Sequence, residues 1–330
     1  MTVADGRVDI VIVNYETPDL VEQCLRSIED RMLPVLGKVI VVDNSALPEP
    51  AASVVDRHPM AQLVRSGTNL GYGAGANLGV REGDSEYVLV MNSDTRLCAG
   101  AVEALIDDLD RHPEAGIAGP RLVDAGGVPQ PSCSQFPTPG RLVLHETGLW
   151  KLLRSTPFAE RSAPFFDPDV AGPVPCVLGA ALFIRRRDFD RVDGFDPGYF
   201  MYYEEVDLCR RLVDLGVVTR FVPSATVGHI GAASTTAQHA VMQREMLRSL
   251  ARFMRRHEDD RRLIRLRAAG IVAATAWLAH GFLPGRGGSR VAASIALWRS
   301  VVGDALAEPA PVVRRHACEE PFDDVHAVRQ

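Results

Sequence analysis

The sequence predicts an α/β fold built on a parallel sheet with helices on both faces. Short β-branched apolar runs recur through the first part of the chain: "VDIVIVN" (8–14), "KVIVVDN" (38–44), "AQLVRS" (61–66), "EYVLVMN" (86–92) and "AGIAGP" (115–120). Helix-length segments lie between them, among them Asp19–Glu29 and Gly100–Arg111, with apolar residues spaced near 3.6 positions apart. Strands that are apolar throughout and alternate with amphipathic helices bury both faces, which is the pattern of a parallel sheet.

Length and composition agree with that class. The chain has 330 residues, 46% hydrophobic and 24% charged, enough for one large core and an appendage. A net charge of −6 argues against a polyanion-binding protein, so no nucleic acid is expected as a partner. The cysteines, Cys24, Cys98, Cys133, Cys176, Cys209 and Cys318, form no C-x-x-C pair, and no apolar leader opens the sequence. A reduced, cytoplasmic protein is the expectation.

In such sheets ligands sit outside the carboxyl ends of the strands. The runs here end in Asn14 and Tyr15, in Asp43 and Asn44, and in Asn92 and Asp94. Asn and Asp at one strand end are ordinary turn formers; their recurrence at several ends of one sheet favours a site. The next feature, "NLGYGAGANLG" (69–79), lacks the Gly-Lys-Ser/Thr ending of a phosphate loop and the G-x-G-x-x-G register of a dinucleotide loop. Its small residues instead suit a helix starting near Gly73, where Gly75 and Ala76 let the backbone approach a neighbouring strand or a flat ring.

From about 121 to 173 the chain is rich in Pro and Gly and its periodicity fades, as in an acceptor-side or lid excursion. A second strand run, "PVPCVLGAALFIRR" (173–186), re-enters the core. After the turn "GFDPGYF", an amphipathic helix is expected from about Glu204 to Leu215, then the strands "VVTRFVP" and "ATVGHIG". Glu204, Glu205 and Asp207 crowd the first turn of that helix. Acids there complement the helix dipole, yet Phe200, Tyr202 and Tyr203 just before them suggest a lined pocket. His229 follows a strand and counts as a candidate only in that company.

Taken together and in order, "VDIVIVNYET", "VVDNS", "NLGYGAGANLG", "LVMNSDT", "CVLGAALFIRR", "GFDPGYFMYYEEVDLCRR" and "VGHIGAAS" resemble the inverting family 2 glycosyltransferases over about residues 8 to 234. The narrower likeness is to bacterial rhamnosyltransferases that build cell-wall linkers and O-antigens. The resemblance implies a GT-A fold, Rossmann-like, with a mostly parallel mixed sheet flanked by helices and a C-terminal helical extension. It places a catalytic domain over 1–235; beyond it the composition predicts a helical region over 236–306 and a loose tail over 307–330.

The resemblance also assigns roles. Family members carry a D-x-D motif or a shortened form where this chain has "NSD", so Asp94 is expected as a metal ligand, with His229 completing the coordination of Mn2+ or Mg2+. Such an ion neutralises the departing diphosphate of a dTDP- or UDP-sugar donor; an imidazole ligand favours manganese over magnesium. Asn92 replaces the usual first acid and is expected at the donor ribose or sugar. Asn14, Tyr15 and Asp43 are expected near the base and ribose, with Asn69 and Gly71 beside them. Arg211 has two readings, a diphosphate contact or a helix-surface ion pair. Similar enzymes have Glu-Asp where this chain has Glu204–Glu205, and the second acid, Glu205, is the expected general base. The implied reaction moves a sugar, rhamnose first among the candidates, to a lipid-linked or polysaccharide acceptor. The alternatives are a UDP-sugar donor, or a catalytically silent nucleotide-sugar binding protein. A nucleotidyltransferase would need a glycine-rich loop after the first strand, and "VNYETPD" has none.

Beyond Gln243 the chain combines many arginines, Arg244 to Arg267, with the apolar run "AAGIVAATAWLAHGFL" (268–283). That run is shorter than the roughly 18 to 20 residues of a spanning helix. It predicts helices lying peripherally on an anionic, cytoplasmic membrane face. The competing expectation packs the same helices on the catalytic domain or on a second copy in a homodimer.

Overall fold

A computed structural model describes residues 6–47, 49–138, 141, 166–231 and 239–257. The apolar runs form strands β1 (Val8–Asn14), β2 (Leu36–Asp43), β3 (Ala61–Arg65) and β4 (Tyr87–Asn92), all parallel. Helices α1 (Pro18–Glu29), α2 (Glu49–Val55) and α3 (Tyr72–Val80) connect them. Pro18 opens α1, where the missing N–H costs nothing. A short strand β5 (Thr95–Leu97) and helix α4 (Ala101–Arg111) lead into β6 (Ala115–Val123).

The nine-stranded sheet runs in the order β3-β2-β1-β4-β10-β6-β11-β5, with β8 (Gly172–Val174) paired to β11. It is mixed: β10 (Ala181–Arg185) enters antiparallel between β4 and β6, and β5 and β8 run antiparallel to β11 (Val218–His229). A separate two-stranded sheet joins β7 (Cys133–Ser134) to β9 (Cys176–Val177).

The single strand run expected over 173–186 is thus three short strands. Pro175, which cannot donate to a ladder, separates β8 from β9, and the turn through Gly179 separates β9 from β10. The opposite correction applies further on, where the two strands expected around Pro223 are one. Strand β11 absorbs the proline at an irregularity in its pairing with β6, between Val222 and Thr226.

Both faces of the sheet are covered. Helices α1, α2 and α4 pack their apolar residues on one side, including Leu25, Val54 and Leu105. On the other side lie α3, α6 (Glu204–Asp214) and α7 (His239–His257), after the short helix α5 (Arg186–Arg191). Helix α3 can lie flat on the sheet because it is made of small residues: a Cβ on Gly79 would meet Val11 Cγ1 at 2.5 Å.

Helix α7 corrects part of the membrane expectation. Phe253 and Met254 are buried in the core, and Arg252 and Arg256, counted above among the headgroup-facing arginines, pair with Asp196 instead. No helix among the described residues is long and apolar enough to cross a membrane. The apolar run 268–283, the rest of the helical region to 306 and the tail 307–330 lie outside the described residues.

Candidate active site

Parallel pairing brings the ends of β1, β2 and β4 side by side, with Asn14 opposite Asp43 and Val13 opposite Asn92. Asn14 is fully buried and its amide is spent locally. Its Nδ2 donates to Asp43 Oδ1 at 2.8 Å, and its Oδ1 accepts from the Thr17 hydroxyl at 2.9 Å. Asp43 Oδ1 also takes the Ser45 N–H at 3.1 Å. The second oxygen, Oδ2, is buried without a partner. Native proteins rarely leave a carboxylate oxygen so, and it marks a place for a ligand's hydroxyl or N–H. Tyr15 stands half-buried beside this pair, and Asn92 half-buried at the end of β4.

The loop between β3 and α3 borders the same edge. Asn69 Oδ1 accepts the Gly71 N–H at 3.0 Å, and Gly71 O accepts from Asn44 Nδ2 at 2.9 Å. Gly71 has φ 82°, and a Cβ there would fall 2.0 Å from Phe200 O, so no other residue fits. The next residue, Tyr72, donates its N–H to Phe200 O at 3.0 Å. Its phenol, buried in the site, donates to Gly179 O at 2.6 Å. Burial first, then the charges of Glu204, Glu205 and Asp94, push its pKa well up. Tyr72 is thereby tied to Gly179, which faces Glu205, while the next residue, Gly73, packs beside Glu204, an involvement the glycine-rich run "NLGYG" did not announce.

Asp94 and His229 are far apart in sequence and adjacent in space because β5 pairs antiparallel with β11, which sets His229 opposite Thr95. Asp94 Oδ2 accepts the Gly231 N–H at 3.1 Å, and its Oδ1 faces His229 Nε2 at 3.7 Å. Gln130 fixes the imidazole. Its Nε2 donates to His229 O at 3.0 Å, which leaves Oε1 to receive the proton of His229 Nδ1 at 2.8 Å. His229 Nε2 is thereby aimed at the Asp94 carboxylate, and the two together can hold a cation. The donor set, one carboxylate and one imidazole, fits a divalent ion that takes its remaining ligands from a diphosphate and water. Among the described residues no cluster of three or more His, Cys, Asp or Glu side chains is suited to hold a metal by itself. Gln130 lies in the Pro- and Gly-rich segment, and nothing in its local sequence marks it.

The acidic motif opens α6. Tyr202 and Tyr203 precede it with φ 67° and 66°, a left-handed pair that costs energy in non-glycine residues and clusters at functional sites. Glu204 is 4% exposed, packed beside Gly73 of α3, while Glu205 is partly exposed and faces Gly179, whose added Cβ would sit 3.5 Å from Glu205 Cδ. Oε2 of each is buried without a partner. Burial, and then the Glu205 charge, raise the Glu204 carboxyl well above the usual range. Glu205 is also raised by burial, with nearby N–H groups of Glu205, Gly179 and Val206 pulling the other way.

Arg211 does not reach this group. Its Nε donates to Asp207 Oδ2 at 2.7 Å, Nη1 to Val192 O at 2.6 Å and Nη2 to Gly194 O at 2.8 Å. It is the ion-pair reading of this residue, not the diphosphate contact, that the geometry holds.

Comparison with known proteins bears on the family and the fold. The family described as "Glycosyl transferase family 2" matches residues 9–159. The N-acetylglucosaminyl-diphospho-decaprenol L-rhamnosyltransferase of Mycobacterium tuberculosis is 35% identical over 238 residues, 68% of this chain and 76% of its own. Among solved structures, the mannosyltransferase PcManGT of Pyrobaculum calidifontis in complex with GDP-Man and Mn2+ superposes with a TM-score of 0.56 at 16% identity, over 91% of this chain and 87% of that one. GalNAc-T7 with UDP, GalNAc and Mn2+ gives 0.52 at 15% identity, over 67% of this chain and 42% of that one. Such distant likeness bears on the fold alone, which is GT-A. On the match to the rhamnosyltransferase over most of its length, the chain is a glycosyltransferase and belongs to glycosyl transferase family 2.

Proposed function

We propose that the protein is an inverting, divalent-metal-dependent glycosyltransferase that moves rhamnose from dTDP-rhamnose to a lipid-linked or polysaccharide acceptor in cell-envelope glycan synthesis. The observation that carries this reading is the Asp94–His229 pair set just past the end of β4, where the Asn92 N–H donates to Ala180 O at 3.0 Å beside Gly179, the residue that Glu205 faces. The choice of sugar and acceptor rests on the name of the 35% identical relative.

In this reading Asp43 Oδ2 accepts a hydrogen bond from the nucleoside, with Asn14 and Tyr15 shaping that subsite and Asn69 and Gly71 its rim. Asn92 takes the donor ribose or sugar. Asp94 and His229 Nε2 hold Mn2+ or Mg2+, and the ion neutralises the charge that develops on the leaving diphosphate. Glu205 takes the proton from the attacking acceptor hydroxyl, on the face of the sugar opposite that diphosphate. Its raised pKa makes it a stronger base than a solvated carboxylate, and its partial exposure lets it reach an acceptor. Glu204, more deeply buried, stays protonated beside it. Peripheral contact of the arginine-rich sequence beyond residue 257 with an anionic membrane belongs to the same reading, since a lipid-linked acceptor is presented there.

Nucleotide release measured with Mn2+, a lipid diphosphate-linked sugar as acceptor, and either dTDP-rhamnose or UDP-sugars tests it. Turnover with dTDP-rhamnose is expected. Turnover confined to a UDP-sugar overturns the donor, and donor binding without turnover across acceptors favours a silent nucleotide-sugar binding protein, for which the loss of an acid at Asn92 already speaks.

A further inference from the structure

Helix α7 touches the acidic motif at several points. Ser249 Oγ donates to Met201 O at 2.8 Å, beside the left-handed tyrosines. Arg252 donates to both oxygens of Asp196, at 3.0 and 2.8 Å through Nη2, and lies over the Tyr199 ring at 5.3 Å. Arg256 pairs with the same Asp196 and approaches Asp207 at 3.5 Å. The Phe253 ring packs on Tyr203 at 6.1 Å between centroids and on Phe136 at 6.4 Å. His257 Nε2 lies 2.7 Å from Asp207 Oδ1, a carboxylate with 0% exposure.

Asp207 shares the first turn of α6 with the two glutamates, and its N–H donates to Tyr203 O at 2.8 Å. Burial would raise its carboxyl, but the His257 hydrogen bond and the Arg211 and Arg256 charges outweigh burial and keep it below the ordinary range, so α7 and its own helix both hold it. A left-handed Tyr202–Tyr203 pair needs its surroundings to hold it in place. Tyr203 of that pair, and Asp196, Met201 and Asp207 on either side of it, are the residues α7 grips.

We propose that α7 belongs to the transfer machinery as a strap: through Asp196 and Asp207 it holds the 195–203 loop and the first turn of α6 in the geometry that presents Glu204 and Glu205 to the acceptor. Arg252 and His257 are positioning residues for these acids. The inference rests on the glycosyltransferase reading of the site, and it gives the C-terminal region a role in turnover that is separate from any membrane contact.

The test uses full-length Arg252→Ala, His257→Ala and, as the conservative rescue, His257→Gln. Three quantities are measured: kcat and KM for donor and acceptor, donor affinity by titration, and amide hydrogen exchange. Exchange at 199–207 should rise in both alanine variants while the β1–β4 strands stay protected. Donor affinity should stay within about twofold of wild type while kcat falls roughly 10- to 100-fold, the scale of a misplaced reacting group. His257→Gln, which keeps a donor near Asp207 Oδ1, should recover most of the loss. Wild-type kcat in both alanine variants overturns the proposal. So does a parallel loss of kcat and donor affinity with general loss of protection, which is the signature of a merely structural helix. If wild type turns over no donor at all, the functional reading fails, and the exchange measurement still decides whether α7 holds the loop.

Discussion

Asp43 and Glu204 are both buried carboxylates at the edge of the same site, and the protein keeps them in opposite ways. Asp43 is met by Asn14 Nδ2 and the Ser45 N–H, and only one oxygen is left over. Glu204 stands against Gly73, Phe195 and the neighbouring Glu205, with its outer oxygen unpartnered and its proton held by burial. On the proposed reading, the strand-end half of the site recognises the donor and the helix-start half exchanges protons. Identical chemistry in the side chain is thus separated by what surrounds it, as in other sites where two carboxylates take different roles.

The largest expected effect strikes the first half. The Asp94 side chain accepts one backbone N–H and makes no other hydrogen bond among the described residues, so Asp94→Ala should cost little in Tm and reduce transfer below detection. Activity near wild type in this variant, or full activity of the wild type in excess chelator, would end the metal assignment.

The second effect strikes the other half and sharpens the contrast. Glu205→Gln should bind donor normally and lose about 10²–10⁴ in rate, the usual scale of general-base removal. Because the raised carboxyl must be ionised to act, wild-type transfer should also fall as pH drops towards the ordinary carboxylate range, with donor affinity less affected. If Glu204→Gln is dead while Glu205→Gln turns over freely, the base is Glu204.

The two halves were not equally legible in the sequence. Asn14, Asp43 and Asp94 could be found because strand ends are local: an apolar run stopping at a polar residue places that residue at the rim of the sheet. Glu204 and Glu205 were visible as an acidic helix start, but their burial was not, since it depends on Gly73 and on the β9–β10 turn packing over them. Gln130 and Tyr72 escaped for the same reason; each acts through a partner more than 95 residues away. The left-handed Tyr202–Tyr203 pair carries no glycine or asparagine to announce it. In the fold, prolines misled in both directions, Pro175 breaking the run over 173–186 while Pro223 leaves β11 whole.

The smallest expected effect is on stability, and it isolates the cost of keeping a carboxyl where Glu204 is. An unfolded glutamate ionises near pH 4.3, whereas the folded one retains its proton well above that because burial and the Glu205 charge disfavour the anion. Between those two pKa values folding takes up a proton, so the stability contributed by this residue is present below the unfolded value and falls away as pH rises towards the folded one. Glu204→Gln keeps the shape and the neutral charge but removes the titration. The variant should therefore match wild type near pH 4, and gain on the order of 1 kcal/mol, or about 2–4 °C in Tm, near pH 8. Thermal unfolding at the two pH values reads the difference directly. A gain of equal size at both would mean that Glu204 is ionised in the folded protein, and the division between a recognising half and a proton-exchanging half would lose its physical basis.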